Sequence, residues 1–293
     1  MALYAYYIGM GNHEALGLIF NDEKGKQQAF IDAFPYETQS AEALFAEEFI
    51  NPENGPDSED NNKYDPDPKN IDFPSYKENA FYYTYGNVAM IVLNSNYWYA
   101  PSIANQTASS GGLHGYLMDN QLQWLRETIS KLEKDKNIDH IFLTQHTPAF
   151  PNGGHSKDVM WYGGNNEKRP YIGGKPVDKG IIERRDEYLD ILINESKKVV
   201  GMLTGDEHNY NWLKLTADMP IYPGNYPHKN LTYRVQFIKS IMVQQELLIM
   251  AKKYCHGVSI PSPLAWKMHC ACFMWKEKNN NESIQSGHFK SNR

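Results

Sequence analysis

Residues 118–148 read MDNQLQWLRETISKLEKDKNIDHIFLTQHTP, and this stretch decides the fold class. Leu122, Leu125, Ile129 and Leu132 recur at i, i+3, i+7 and i+10, which predicts a helix over Met118–Lys134 with one apolar face. Ile138–Thr144 follows as a short β-prone run that stops at Gln145-His146-Thr147-Pro148. Helix alternating with strand is the pattern of layered α/β folds.

Working outward, Leu3–Ile8 reads as a buried strand feeding the loop Gly9-Met10-Gly11. Thr38–Ile50 reads as a helix with Ala41, Leu44, Phe45 and Phe49 on one face and Thr38 or Ser40 as its cap. Ala80–Tyr85 and Val88–Asn94 flank Gly86-Asn87, a hairpin signal. Arg184–Lys198 reads as a helix and Lys198–Thr204 as a strand ending at Gly205-Asp206-Glu207-His208. Asn211–Thr216 and Leu231–Phe237 are expected as later strands.

Composition bounds the function. The 293 residues are 41% hydrophobic, enough for a sizeable core. No apolar run approaches the roughly 20 residues that span a bilayer, so no membrane span is expected. A net charge of −6 argues against a nucleic-acid partner, whose phosphates demand a basic surface. Residues 51–74 form an Asn/Asp/Pro-rich acidic insertion whose plainest reading is a solvated loop; a calcium loop is the alternative, without the regular ligand spacing and glycine of an EF-hand.

The charge breaks near the C-terminus. From Arg234 to Arg293 nine Lys or Arg face three Glu, and all three cysteines lie there. Cys255, His256, His269, Cys270 and Cys272 lack the paired C-x-x-C spacing of a zinc site. Leu247, Trp266 and Trp275 are too apolar for a simple basic tail. Permitted codons for 237–258, read in a shifted frame, spell a sequence closer to a loop and strand of a secreted hydrolase. Residues 1–236 are therefore expected to form one domain, and 237–293 a frameshifted or disordered tail that packs poorly.

Three polar clusters each follow a short strand: Gly11-Asn12-His13-Glu14, Gln145-His146-Thr147-Pro148 and Gly205-Asp206-Glu207-His208. Ligands in layered α/β folds gather outside the carboxyl ends of strands. Mixed nitrogen and oxygen donors suit Zn, Fe or Mn. Taken singly, each has a plainer explanation: a histidine bonded to a carbonyl, an Asn in a turn, an Asp as a cap. Tyr97, Trp98 and Tyr99 could stack on a ligand, but aromatics beside a sheet more often pack.

In motif order the chain resembles the calcineurin-like metallophosphoesterase superfamily, on its purple-acid-phosphatase side, over roughly residues 3–235. Gly11-Asn12-His13-Glu14 matches its G-N-H-E/D, His146 with Pro148 its lone histidine, and Gly205-Asp206-Glu207-His208 its G-H-x-H. The resemblance implies a layered αββα sandwich of mixed sheets. It implies a hydrolase of phosphoester bonds with a two-metal site of Zn, Mn or Fe, a metal-bound hydroxide nucleophile and a small phosphorylated substrate. Asn12, His146 and Asp206 would hold one metal, His208 would serve the other, and His13 would be catalytic beside the leaving group. Asp206 stands where the family usually has His, which leaves the metal's identity open.

The family's D-x-H and G-D-x-x motifs, with their strand-helix-strand, have no counterpart before Asn12. The chain is thus expected to be an N-terminally truncated, nearly inert fragment, with an extracytoplasmic location weakly favoured by the resemblance. Alternatives are a non-catalytic binding module using Tyr97–Tyr99 and the acidic loop, or a mononuclear metal hydrolase. The substrate's exact class and the oligomeric state are not encoded in these motifs.

Overall fold

The computed structural model describes residues 7–15, 40–100, 110–151, 159–208, 210–214 and 239–242. Four α-helices occur among them, α1 (Asn12–Ala15), α2 (Ala41–Glu48), α3 (Asp119–Lys134) and α4 (Ile181–Asn194), with a kinked 3-10 segment at Val159–Gly164. The strands are β1 (Phe81–Tyr85), β2 (Val88–Val92), β3 (His140–Gln145), β4 (Tyr171–Ile172), β5 (Lys175–Pro176), β6 (Val199–Thr204), β7 (Asn211–Lys214) and β8 (Lys239–Met242).

Six strands form one mixed sheet in the order β1-β2-β3-β6-β8-β7. β2, β3, β6 and β8 run parallel to one another, while β1 and β7 close the two edges antiparallel. β4 and β5 make a separate antiparallel ribbon. The mixed-sheet α/β class expected from the sequence is what the chain adopts. The β1–β2 hairpin turns at Gly86, whose φ of 58° favours glycine.

Alternation along β2 shows how the sheet is covered. Ala89, Ile91 and Leu93 join the main core with Leu122, Leu125, Ile129 and Leu132 of α3 and with Ile182, Leu189 and Leu192 of α4. Met90 and Val92 face the other way, with Phe81 and Leu203 and with Phe142 against them. A strand buried on both faces reads as an unbroken apolar run, which is why Val88–Val92 shows no polar alternation. Each fully buried Leu or Ile of α3 contributes about 1.5–3 kcal/mol.

The helix ends are set by side chains from elsewhere. α3 starts without a cap of its own, and the buried Glu59 accepts from the backbone of Asn120 (3.0 Å) and Gln121 (3.1 Å). That satisfies two donors at the helix start. Burial pushes the Glu59 carboxyl up to about 7 despite these bonds. Asn166 does the same for α4, accepting from Ile182 and Glu183 at 3.0 Å each. α2 carries the expected Ser40 cap, whose side chain accepts from Ala43.

Leu3–Tyr6 and the expected strand Leu231–Phe237 lie outside the described residues, as does most of the segment from 237 onward. Within that segment, however, β8 is hydrogen-bonded between β6 and β7. Residues 51–79, which include the acidic insertion 51–74, contain no helix or strand; the insertion is not wholly solvated, because Glu59, Asp72 and Phe73 are buried. Among the described residues no helix is long and apolar enough to cross a membrane.

Candidate metal centre

The site is built where parallel strands end. β3 and β6 are neighbours, with Gln145 opposite Thr204. Their next residues, His146 and Gly205, are tied by Gly205 N–H donating to the His146 carbonyl at 2.8 Å. Gly11 approaches the same ring. A Cβ on Gly11 or on Gly205 would lie 3.2 Å from His146 Nδ1 in either case. Two residues without side chains thus let two backbones close on one imidazole, and all three motifs converge at His146.

Local bonds hold each piece. Gly11 N–H donates to Glu14 Oε2 at 3.0 Å, so the Glu of the first motif clamps the opening turn of α1 as a capping-box residue. Asn51 ties the preceding residue Ile8 to the loop, its Nδ2 donating to the Ile8 carbonyl at 3.0 Å and to the Glu78 carbonyl at 2.8 Å. Asp206 and His208 have φ of 73° and 51°. Left-handed backbone at two non-glycine residues in one loop stores strain of the kind that clusters at functional sites.

His146 Nε2 lies 3.2 Å from Asp206 Oδ1, an ion-pair contact, and has no hydrogen-bond partner beyond it. The other Asp206 oxygen, Oδ2, is 3.0 Å from His114 Nε2. His114 Nε2 is also 3.3 Å from Thr147 Oγ1. Thr147 in turn accepts from Ser95 Oγ at 3.1 Å and donates its N–H to it at 3.0 Å. The carboxylate fixes the proton of His114 on Nε2. Burial works to raise the Asp206 carboxyl, but the imidazoles of His114 and then His146 outweigh it and hold the group well below the usual carboxylate range.

Among the described residues, several buried polar atoms without hydrogen-bond partners lie at the ends of β3 and β6. Besides His146 Nε2, Gln145 Oε1 and Thr204 Oγ1 have none. Such atoms are rare in folded proteins and call for an explanation such as an ion or ordered water. An imidazole nitrogen beside a carboxylate oxygen is a donor pair suited to a transition metal.

No protein-family model matches the sequence, and no curated protein does. A solved structure of PhoD is similar over 69% of this chain and 32% of its own length, at 15% identity and a TM-score of 0.33. The chain spans about a third of that protein's length.

Of the residues singled out from sequence, His146 and Asp206 meet directly, and Asn12 follows Gly11 at the same rim, half-buried. His13 and His208 are exposed, one and two residues beyond Asn12 and Asp206. Among the described residues, the rim does not gather three His, Cys, Asp or Glu donors within 4.8 Å; the group that does is Asp60, Asp65 and Asp72 in the acidic loop. Sequence reasoning missed His114. Its signal was the glycine pattern Gly111-Gly112-Leu113-His114-Gly115. Gly115 has φ of 82°, and a Cβ there would meet Thr147 Cγ2 at 2.9 Å.

The aromatic platform of the binding-module alternative is corrected. Tyr97 and Trp98 are buried. Tyr97 stacks on Tyr76 with centroids 4.0 Å apart, and Trp98 meets Phe73 edge-on at 5.3 Å. These two rings are core, because the segment following β2 turns inward beneath the loop.

Proposed function

We propose that this rim is the metal-holding part of a phosphoester hydrolase site. Asn12, His146 and Asp206 hold one metal, His208 serves a second, and His13 acts beside the leaving group. The observation that supports this reading best is the His146 ring: its buried Nε2 has no hydrogen-bond partner and lies 3.2 Å from a carboxylate oxygen, while Gly11 and Gly205 crowd its Nδ1 edge. A histidine kept only for packing would have its ring nitrogens bonded to protein.

A divalent transition metal, Zn, Mn or Fe, bound there would supply Lewis-acid polarisation of a phosphoryl oxygen and activation of water. The chain's own residues do the positioning. Gly11 and Gly205 leave room for the imidazole, and Glu14 holds the turn that presents Asn12 and His13. His114 takes one Asp206 oxygen and leaves the other toward His146. His13, exposed to solvent and next to Asn12, gives a proton to the departing alkoxide or phenoxide in this reading. A carboxylate at 206 adds negative charge and hard oxygen character to the donor set. The substrate class is a small phosphorylated molecule.

The test uses Mn²⁺ as a paramagnetic probe. The chain should bind Mn²⁺, and inorganic phosphate added to the complex should show enhanced ³¹P relaxation. His146→Ala should abolish the phosphate relaxation and lower the Mn²⁺ stoichiometry, leaving only Mn²⁺ held by other carboxylates. Mn²⁺ binding and phosphate relaxation unchanged in His146→Ala would refute the reading.

A further inference from the structure

The acidic loop between α2 and β1 gathers a second set of donors. Asp60, Asp65 and Asp72 each offer a carboxylate oxygen, and these oxygens all lie within 4.8 Å of one another. The fold forces the approach. Asp60 Oδ1 accepts from the backbone N–H of Asp72 (2.8 Å) and of Phe73 (3.2 Å), closing the loop on itself. Lys63, within the same loop, is turned to Asp178 at 2.8 Å and Asp119 at 3.7 Å. Three negative charges so close repel strongly unless a cation or a shared proton sits among them, and burial together with Asp65 and Asp60 raises the Asp72 carboxyl above its ordinary value.

An independent observation points to a ligand. Asp72 is 4% exposed, and its Oδ2 has no hydrogen-bond partner. A buried carboxylate oxygen left bare is costly, and such groups are ordinarily paired or coordinate a metal. The donors are all oxygen, and residues 51–79 contain neither His nor Cys. That chemistry selects a hard cation, and an irregular loop tolerates the long, adaptable coordination of calcium better than the strict octahedron of magnesium.

We propose that Asp60, Asp65 and Asp72 bind a calcium ion, a site separate from the rim around His146. Its role is to lock the loop. Glu59, next to Asp60, caps α3, and Asn120 Nδ2 donates to the Ser58 carbonyl (2.9 Å) and the Asp60 carbonyl (3.0 Å). Calcium binding would therefore stabilise the junction of loop and helix.

Calorimetric titration of the full chain with CaCl₂, paired with thermal melts, tests this. Calcium should bind and raise the melting temperature, and MgCl₂ should do so far less. Asp65→Asn and Asp72→Asn should each weaken calcium binding by roughly tenfold or more, since affinity follows ligand charge. Asp206→Asn should leave the calcium response intact, so that failure of the rim reading and failure of this one are told apart. Absence of any heat or melting shift in the wild-type chain up to about 10 mM calcium would overturn the proposal. So would wild-type affinity in both loop variants.

Discussion

His114 Nε2 lies 3.0 Å from Asp206 Oδ2, a contact spanning 92 positions of the chain between two side chains that are each 4% exposed. Because Oδ2 is engaged, Asp206 turns Oδ1 toward His146. Replacing His114 with Ala removes that hold and should lower zinc affinity at the rim roughly 10- to 100-fold, the usual effect of losing a residue that orients a metal ligand. The unpaired oxygen should also cost about 1–3 kcal/mol of stability. His114→Gln retains an N–H donor and should recover part of the affinity. Equal zinc affinity in the wild type and His114→Ala, by calorimetry, would contradict this role.

Gly205→Ala tests how tightly the two backbones enclose His146. The added Cβ would sit 3.2 Å from His146 Nδ1 and must displace the ring or the strand end. Overpacking of this kind costs about 1–3 kcal/mol. Urea denaturation should show that loss, and the ring ¹⁵N resonances of His146 should shift. A variant as stable as the parent with unchanged resonances would mean that the backbones stand further off.

Glu133 supplies a pH dependence away from the site. Its Oε1 accepts from Ser196 Oγ and from the backbone N–H of Lys197 (2.9 Å) and Lys198 (2.8 Å). Partial burial works to raise its carboxyl, but these bonds outweigh it and the group lies below its ordinary value of 4.5. A carboxyl lowered by folding contributes stability above its unfolded value, and that contribution is lost as the pH falls through the folded one. Glu133→Gln keeps an acceptor but loses the charge, so it should cost about 1 kcal/mol at pH 7. The deficit should shrink as the medium is taken below the ordinary carboxylate range. Urea melts of both proteins across that range check it; a constant difference would contradict the assignment.

Trp98 is core rather than a recognition surface, so Trp98→Ala should destabilise the chain by about 3–5 kcal/mol. Its backbone N–H also donates to Glu42 Oε1 at 2.6 Å, joining α2 to this segment. Chemical denaturation measures the loss. A variant that folds with parental stability would require Trp98 to lie at the surface.

Features written in local sequence were legible. The spacing of Leu122, Leu125, Ile129 and Leu132 gave α3 to within a residue, because the burial stripe and the period of the helix coincide. α4 begins at Ile181, three residues before the expected Arg184, because Asn166, far back in the chain, caps it. Pairing information of that kind is not local. The rim was readable in part, because His146 and Gly205 directly follow β3 and β6; before Asn12 the described residues 7–11 are not a strand, and the rest of the expected strand lies outside the described residues. His114 was not, since its partner lies on another strand end and no spacing rule connects them. The Asp60, Asp65 and Asp72 cluster was equally hidden, since it depends on how the loop closes through Asp60 and the backbone of Asp72. β8 sits within the compositionally distinct segment from 237, where the charge balance gave no sign of a paired strand.

The central claim, that His146 and Asp206 hold a metal, is tested most directly by anomalous diffraction from crystals of this chain grown with zinc. A zinc peak is expected about 2.0–2.2 Å from both His146 Nε2 and Asp206 Oδ1. Density in which His146 Nε2 is instead bonded to protein or water, with no anomalous peak beside Asp206, would contradict it.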